Sequence, residues 1–277
     1  MTPTLTAPSL SNPSLSGTGT VGRPISSRHL PIAAPGETGI LYGVGTGPGD
    51  PELLTVKAVR AITASPVVAW FCKKGKPGNA YATAADHITG DHQTLPMVYP
   101  VTNERPHGEQ EYVDAIETFF DQCAADIEAH LQAGRSVTVL NEGDAFFYGS
   151  FMHVYLRLKD RFRTSIVPGV TSVTAASSLL SRPLTMRDDI LSIIPGTLPA
   201  EHLTRAVEQA DALAIMKVGK NLPKIVDVLR KLGRLDRAWY VERASMETET
   251  AMPLADAPVD RAPYFSMVLI HGRGDRR

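Results

Sequence analysis

Gly43-Val44-Gly45-Thr46-Gly47-Pro48-Gly49-Asp50-Pro51-Glu52-Leu53-Leu54-Thr55 is the stretch on which the reading of this chain turns. It leaves an apolar run, 40–44, that reads as a strand, and it enters a helical pattern over 52–64. Alternating glycines let the backbone pass close to a ligand and adopt φ > 0. Asp50 suits the position before a helix, Pro51 its first residue, and Glu52 its positive end. Two phosphate-binding readings fail on spacing. A GxGxxG fingerprint begun at Gly43 meets Pro48 where its third glycine belongs, and begun at Gly45 it meets Asp50; a P-loop needs a Lys that is absent. A tight turn without a ligand explains one glycine here more readily than four.

Outward from this loop, strand and helix patterns alternate. Strands are expected over 66–71, 136–140, 165–167, 190–194, 212–216, 238–241 and 265–270, with a loop-rich stretch over 73–108. Helices are expected over 109–133, stopped by Gly134, and over 148–158, 171–180, 199–209 and 222–232. This alternation predicts an α/β fold with mainly parallel sheets covered on both faces. Two α/β domains with a cleft between them fit the length. The expected division is a Thr/Ser/Pro-rich disordered extension over 1–38, an N-terminal domain over 39–143 and a C-terminal domain over 144–277.

Four further motifs sit at strand ends: Asn141-Glu142-Gly143-Asp144-Ala145-Phe146-Phe147-Tyr148-Gly149, Pro168-Gly169-Val170-Thr171-Ser172, Met216-Lys217-Val218-Gly219-Lys220-Asn221 and Tyr240-Val241-Glu242-Arg243-Ala244-Ser245. Carboxyl ends of strands are where open α/β sheets bind ligands, so the five loops are candidates to line one cleft. Taken singly each is an ordinary turn. Asp144, for example, either meets a ligand or caps the next helix.

In wording and order these motifs resemble those of the tetrapyrrole methylases, over residues 39–272. The resemblance implies a two-domain class III methyltransferase fold that works as a homodimer, with S-adenosyl-L-methionine as methyl donor and a reduced tetrapyrrole as substrate. The implied reaction is methylation of precorrin-2 at C20. Cobalt-factor II, another tetrapyrrole target, and non-catalytic corrinoid binding stand as alternatives. Carried over motif by motif, the donor contacts are Pro48, Glu142, Gly143, Asp144, Phe147, Thr171, Ser172, Met216, Lys217 and Ala244. Gly45, Gly47 and Gly49 would face the tetrapyrrole. Two departures stand out. Ala145 replaces the proline of the usual Gly-Asp-Pro, and Trp70-Phe71-Cys72 stands where uroporphyrinogen-methylating relatives carry an aspartate.

A polycarboxylate substrate calls for basic side chains, and Arg105 and Arg187 are the candidates; Lys73, Lys74 and Lys76 form a further cluster. Glu104, Glu142, Tyr148 and Glu242 are conceivable proton acceptors. Other classes are disfavoured. The 28 Lys and Arg against 29 Asp and Glu show no basic excess for nucleic acid, and no apolar run is long enough to span a membrane. Two cysteines far apart suit a reducing cytoplasm. No secretory leader is expected. His87 and His92 are five apart, off metal-ligand spacing, so no protein-bound metal is expected.

Overall fold

The computed structural model describes residues 29–100 and 110–272. Two five-stranded sheets organise them. The first contains β1 (Leu41–Gly45), β2 (Val67–Cys72), β3 (Gln93–Val98), β4 (Val137–Asn141) and β5 (Thr164–Val167), in the order β3-β2-β4-β1-β5. Every pairing in it is parallel, with Gly45 opposite Asn141 at the carboxyl end.

Alternate residues of these strands serve opposite faces. Leu41, Val67, Ala69, Val137 and Val139 pack against α3 (Gln110–Gln132) and α4 (Phe151–Leu158). Tyr42, Val44, Val68 and Trp70 pack against α1 (Val56–Ala64) and α2 (Asn79–Ala84). The chain therefore leaves β1 over one face and β4 over the other. Since β1 and β4 are neighbours, their carboxyl ends flank a topological switch point, the favoured crevice of such sheets.

The second sheet has the order β6-β7-β10-β8-β9, from β6 (Leu191–Pro195), β7 (Ala212–Met216), β8 (Ala238–Glu242), β9 (Thr250–Pro253) and β10 (Ser266–Ile270). One face packs on α6 (Ala200–Gln209) and α7 (Leu222–Lys231). The other packs on α5 (Ser172–Leu179), whose Val173, Ala175 and Ala176 meet Ala214, Val241 and Leu269. The small side chains of α5 let it lie close to the sheet while it joins the two halves.

Several expectations need correction. The first sheet runs on to β5, so the division between sheets falls between residues 167 and 191 rather than at 143/144. Only β6 and β7 run parallel in the second sheet; β10 is antiparallel to both neighbours, and β9 is antiparallel to β8. The stretch read as loop-rich contains α2 and β3. The expected helix over 52–64 is two elements: Asp50 accepts from Glu52 N to cap a single 3-10 turn, and Thr55 accepts from Ala58 N to start α1. Part of the expected extension, residues 29–37, makes specific contacts with the first sheet. Leu30 and Ala33 rest on the α1–α2 side of the first sheet, the Tyr42 hydroxyl donates to the Pro31 carbonyl, and Glu37 pairs with Arg163 at 3.0 Å.

Helix α3 ends as its sequence predicts. Gly134 takes φ +75° and the Arg135 N–H returns to the His130 carbonyl at 3.0 Å. Its Phe120, Cys123, Ala124, Ile127 and Leu131 form the buried stripe.

Candidate active site

Three backbone segments meet where β4, β1 and β5 end. Gly47 and Gly143 exchange two hydrogen bonds, at 3.1 and 2.8 Å, and the Thr46 N–H donates to the Asn141 carbonyl at 2.9 Å. A Cβ on Gly45 would stand 2.5 Å from the Gly143 carbonyl oxygen and 2.6 Å from the Gly169 nitrogen, and one on Gly169 would overlap that same oxygen. Backbone on backbone leaves no room for a side chain at either position. Asp144 completes the junction: Oδ1 accepts from the Phe146 N–H at 2.8 Å and Oδ2 from the Gly169 N–H at 2.9 Å. Both carboxylate oxygens thus brace the turns.

Beside this junction lies a cleft of about 920 Å³ between the two halves. Gly49, Asp50 and Asn79 line it from the first half, Thr174 and Ser178 from α5, and Met246 from the loop after β8. The halves touch here. The Asp50 N–H approaches Ser245 Oγ at 3.4 Å, and a Cβ on Gly49 would lie 2.5 Å from Met246 Cγ.

Phe147, Met216 and Ala244 come together in one apolar cluster with Val173, although they come from the ends of three strands far apart in the sequence. Thr171 and Ser172 open α5 beside it, and the Thr171 hydroxyl makes no capping bond to the helix. Pro48 is buried in the glycine loop. Tyr148 (φ +56°), Lys217 (φ +54°), Arg243 (φ +48°) and Ser245 (φ +68°) all adopt the left-handed region. They account for four of the six described non-glycine residues that do so, which places the backbone strain in the loops where the motifs lie. The Lys217 ammonium lies 5.1 Å from the centre of the Tyr148 ring, linking the loops after β4 and β7. A wall with apolar side chains, hydroxyls and turned backbone amides fits a ligand carrying both a flat ring and polar amino-acid groups, as S-adenosylmethionine does.

Glu142 holds a different position. Its Oε1 accepts from Asn79 Nδ2 at 3.0 Å, at the start of α2, where Gly78 offers no side-chain cap. Glu142 is an exposed residue, open to solvent on one side and flanked by protein on the side of Asn79. Desolvation by the flanking protein raises its pKa above the ordinary carboxylate range, and the Asn79 hydrogen bonds offset part of the rise. The phenols of Tyr99 and Tyr264 lie near enough to interact with its charge; burial raises the pKa of each first, and Glu142 raises it further. Glu242 is engaged by the Tyr240 hydroxyl at 2.8 Å and by Arg243 at 3.3 Å.

Other sequence candidates are placed elsewhere. Arg187 is exposed beside Met186, near a pocket that Asp189, His271 and Gly272 line. Because β10 is antiparallel, its Ile270 faces Leu213 and Ala238, so that region lies at the end of the sheet opposite Met216 and Ala244. Arg105 and Glu104 lie outside the described residues. Lys73, Lys74 and Lys76 are exposed at the carboxyl end of β2. Trp70 and Cys72 are buried against α2, and Phe71 packs with Tyr99, so this strand end is occupied by packing residues. Asn79, Met246 and Tyr264 went unmarked in the sequence. Only the Gly78-Asn79 dipeptide carried a local turn signal. Among the described residues no group of three or more His, Cys, Asp or Glu is placed to hold a metal, and no helix is long and apolar enough to cross a membrane.

Known proteins resemble this chain in sequence and fold. The precorrin-2 C(20)-methyltransferase of Sinorhizobium sp is 48% identical over 238 residues, which cover 86% of this chain and 97% of that protein. The cobalt-precorrin-2 C(20)-methyltransferase of Salmonella typhimurium is 28% identical over 236 residues, covering 84% and 96%. The crystal structure of uroporphyrin-III C-methyl transferase from Thermus thermophilus complexed with S-adenyl homocysteine superposes with a TM-score of 0.59 at 26% identity, covering 83% of this chain and 97% of that one. The family model for tetrapyrrole (corrin/porphyrin) methylases matches residues 40–257. That span begins just before the glycine loop and takes in both sheets as far as the end of β9, so the chain belongs to the tetrapyrrole (corrin/porphyrin) methylases.

Proposed function

We propose that this protein methylates precorrin-2 at C20, with S-adenosyl-L-methionine as donor, in the cytoplasmic synthesis of cobalamin, and that it works as a homodimer. The meeting of strand-end loops carries the reading: Gly49, Val170 and Ser245 line one cleft, and Phe147, Met216 and Ala244 share one apolar cluster. The higher identity to the relative named for precorrin-2 than to the one named for cobalt-precorrin-2 favours the metal-free substrate. The two free, buried cysteines suit a reducing compartment.

S-adenosylmethionine supplies a methyl group already activated on a sulfonium. The residues of the chain are left with binding, orientation and exclusion of water, which can provide much of the barrier reduction. Phe147, Met216 and Ala244 offer the apolar wall for the adenosyl part, and the Thr171 and Ser172 hydroxyls offer polar contacts. The cluster that binds Phe147 to the second sheet keeps that wall rigid. Gly49 presents backbone rather than side chain toward the cleft, and Gly45 and Gly47 hold the buried junction behind it. Lys73, Lys74 and Lys76 are within the same edge of the first sheet and suit its carboxylates.

Mass spectrometry of precorrin-2 and of cobalt-factor II, each incubated with the protein and isotope-labelled donor, tests this. Gain of one labelled methyl by precorrin-2 supports it. Methylation of cobalt-factor II alone transfers the protein to the cobalt branch, and tetrapyrrole binding without label transfer makes it a corrinoid-binding protein. Light scattering on a sizing column tests the dimer.

A further inference from the structure

We propose that Glu142 takes up the proton lost from the methylated carbon and that Asn79 holds its carboxylate for that step, an assignment that rests on the methyl-transfer reading above. The balance of the reaction requires such a group. A C–C bond forms to the transferred methyl, the S–C bond breaks, and its electrons stay with sulfur, which leaves as a neutral thioether. The positive charge passes to the substrate, which discards it by giving up the C–H proton and returning that electron pair to the conjugated system. Glu142 Oε accepts the proton and later releases it to water.

The position of Glu142 suits the task. It follows β4 at the switch point, one residue from the Gly47–Gly143 bridge, and its partner Asn79 lines the cleft. Several carboxylates nearby are committed: Asp144 braces two turns, Asp50 accepts from the Glu52 N–H at 2.8 Å, Glu242 takes Tyr240 and Arg243, and Glu249 accepts from the Ser245 N–H at 2.7 Å. Glu247 lines the cleft from the loop after β8, on the side away from β4. The partner of Glu142 is instead a neutral amide, and among the described residues no Lys or Arg forms an ion pair with it. A carboxylate held by a neutral amide and with its pKa raised binds a proton more readily than a free one, which is the property a proton acceptor needs. The neutral amide also tolerates both charge states of its partner.

Glu142→Gln keeps the shape and the Asn79 contact while removing the basic oxygen. Single-turnover rates with precorrin-2, and with precorrin-2 deuterated at C20, should show a loss of about 100-fold. The deuterium effect should be larger than in the wild-type protein, because deprotonation becomes the slow step. Calorimetry should find donor affinity within about threefold of wild type. Glu142→Asp, still a carboxylate, should recover at least about tenfold over the Gln variant. A wild-type rate in the Gln variant overturns the assignment. So does a slower rate with an unchanged deuterium effect, or a loss of donor binding, since either makes Glu142 a structural or donor-binding residue. If the wild-type protein binds donor but leaves precorrin-2 unmethylated, the substrate reading fails and the assignment fails with it. Turnover by the wild type together with an equally active Gln variant overturns the assignment alone.

Discussion

The Asp144 carboxylate holds the Gly169 amide at 2.9 Å and so ties the turn after β4 to the turn after β5. A residue positioned in the sequence as a donor contact or a helix cap is a brace between loops 25 residues apart. Removing it acts on the frame of the site first.

Asp144→Ala therefore leaves the partly buried Gly169 amide and the exposed Phe146 amide without their acceptor. Losing hydrogen bonds to a charged acceptor costs about 1.5–3 kcal/mol. At about 2–4 °C per kcal/mol the melting temperature should drop by about 3–12 °C. Scanning calorimetry with and without donor checks this; a drop seen only with donor present would make Asp144 a ligand contact instead. Asp144→Asn retains one carbonyl oxygen and should recover part of the loss.

The glycines of the junction should differ sharply in tolerance. Gly169→Ala places a methyl group on the Gly143 carbonyl oxygen, backbone against backbone, and should cost several-fold more stability than Gly143→Ala. At Gly143 a Cβ meets nothing within 4 Å, and only φ +66° opposes it, at about 1–2 kcal/mol. Urea denaturation of the two variants decides the order. Gly47→Val combines φ +78° with a Cβ 3.2 Å from the Leu53 carbonyl oxygen, and should lower turnover more than donor affinity.

Residues 29–37 contribute to the fold. A chain beginning at Thr38 should be less stable than one beginning at His29 by about 1–3 kcal/mol, from lost burial of Leu30 and Ala33 and loss of the Tyr42–Pro31 hydrogen bond. Equal melting temperatures for the two would show that the packed segment adds nothing.

His130 should make stability depend on pH. It is buried in α3, and its Nδ1 accepts from Arg135 Nε at 3.0 Å, which requires the neutral ring. Burial first, then the Arg135 charge, lowers its folded pKa below the ordinary 6.5, with Asp126 opposing. The unfolded chain therefore binds the proton more tightly. The stability this group provides is complete above about pH 6.5 and is lost as pH falls toward and through the folded pKa. Melting curves from about pH 7.5 to about pH 5 should be steeper for the wild type than for His130→Gln. Parallel curves would place the acid sensitivity elsewhere.

Local chemistry made much of this architecture legible. Helix α3 was readable from its apolar stripe and Gly134, because periodicity and a left-handed stop are properties of neighbouring residues. The turns after β1 and β4 were readable for the same reason, since glycines and acids at strand ends announce close backbone approach. β3 was hidden: as an edge strand it leaves alternate residues exposed and carries Pro96, so Gln93-Thr94-Leu95-Pro96-Met97-Val98 lacks a buried strand's apolar run. The direction of β10 was equally hidden, because an apolar pentapeptide packs as well in either sense and only its neighbours β7 and β8 select one. The fold alone decided that Asp144 reaches Gly169, that Asn79 meets Glu142 across 63 residues, and that Arg187 sits at the far end of the second sheet from Met216. Turn chemistry and periodicity act over a few residues and are written in sequence order; hydrogen bonds and charges act over a few ångströms, and which groups come that close is settled only when the two sheets are packed.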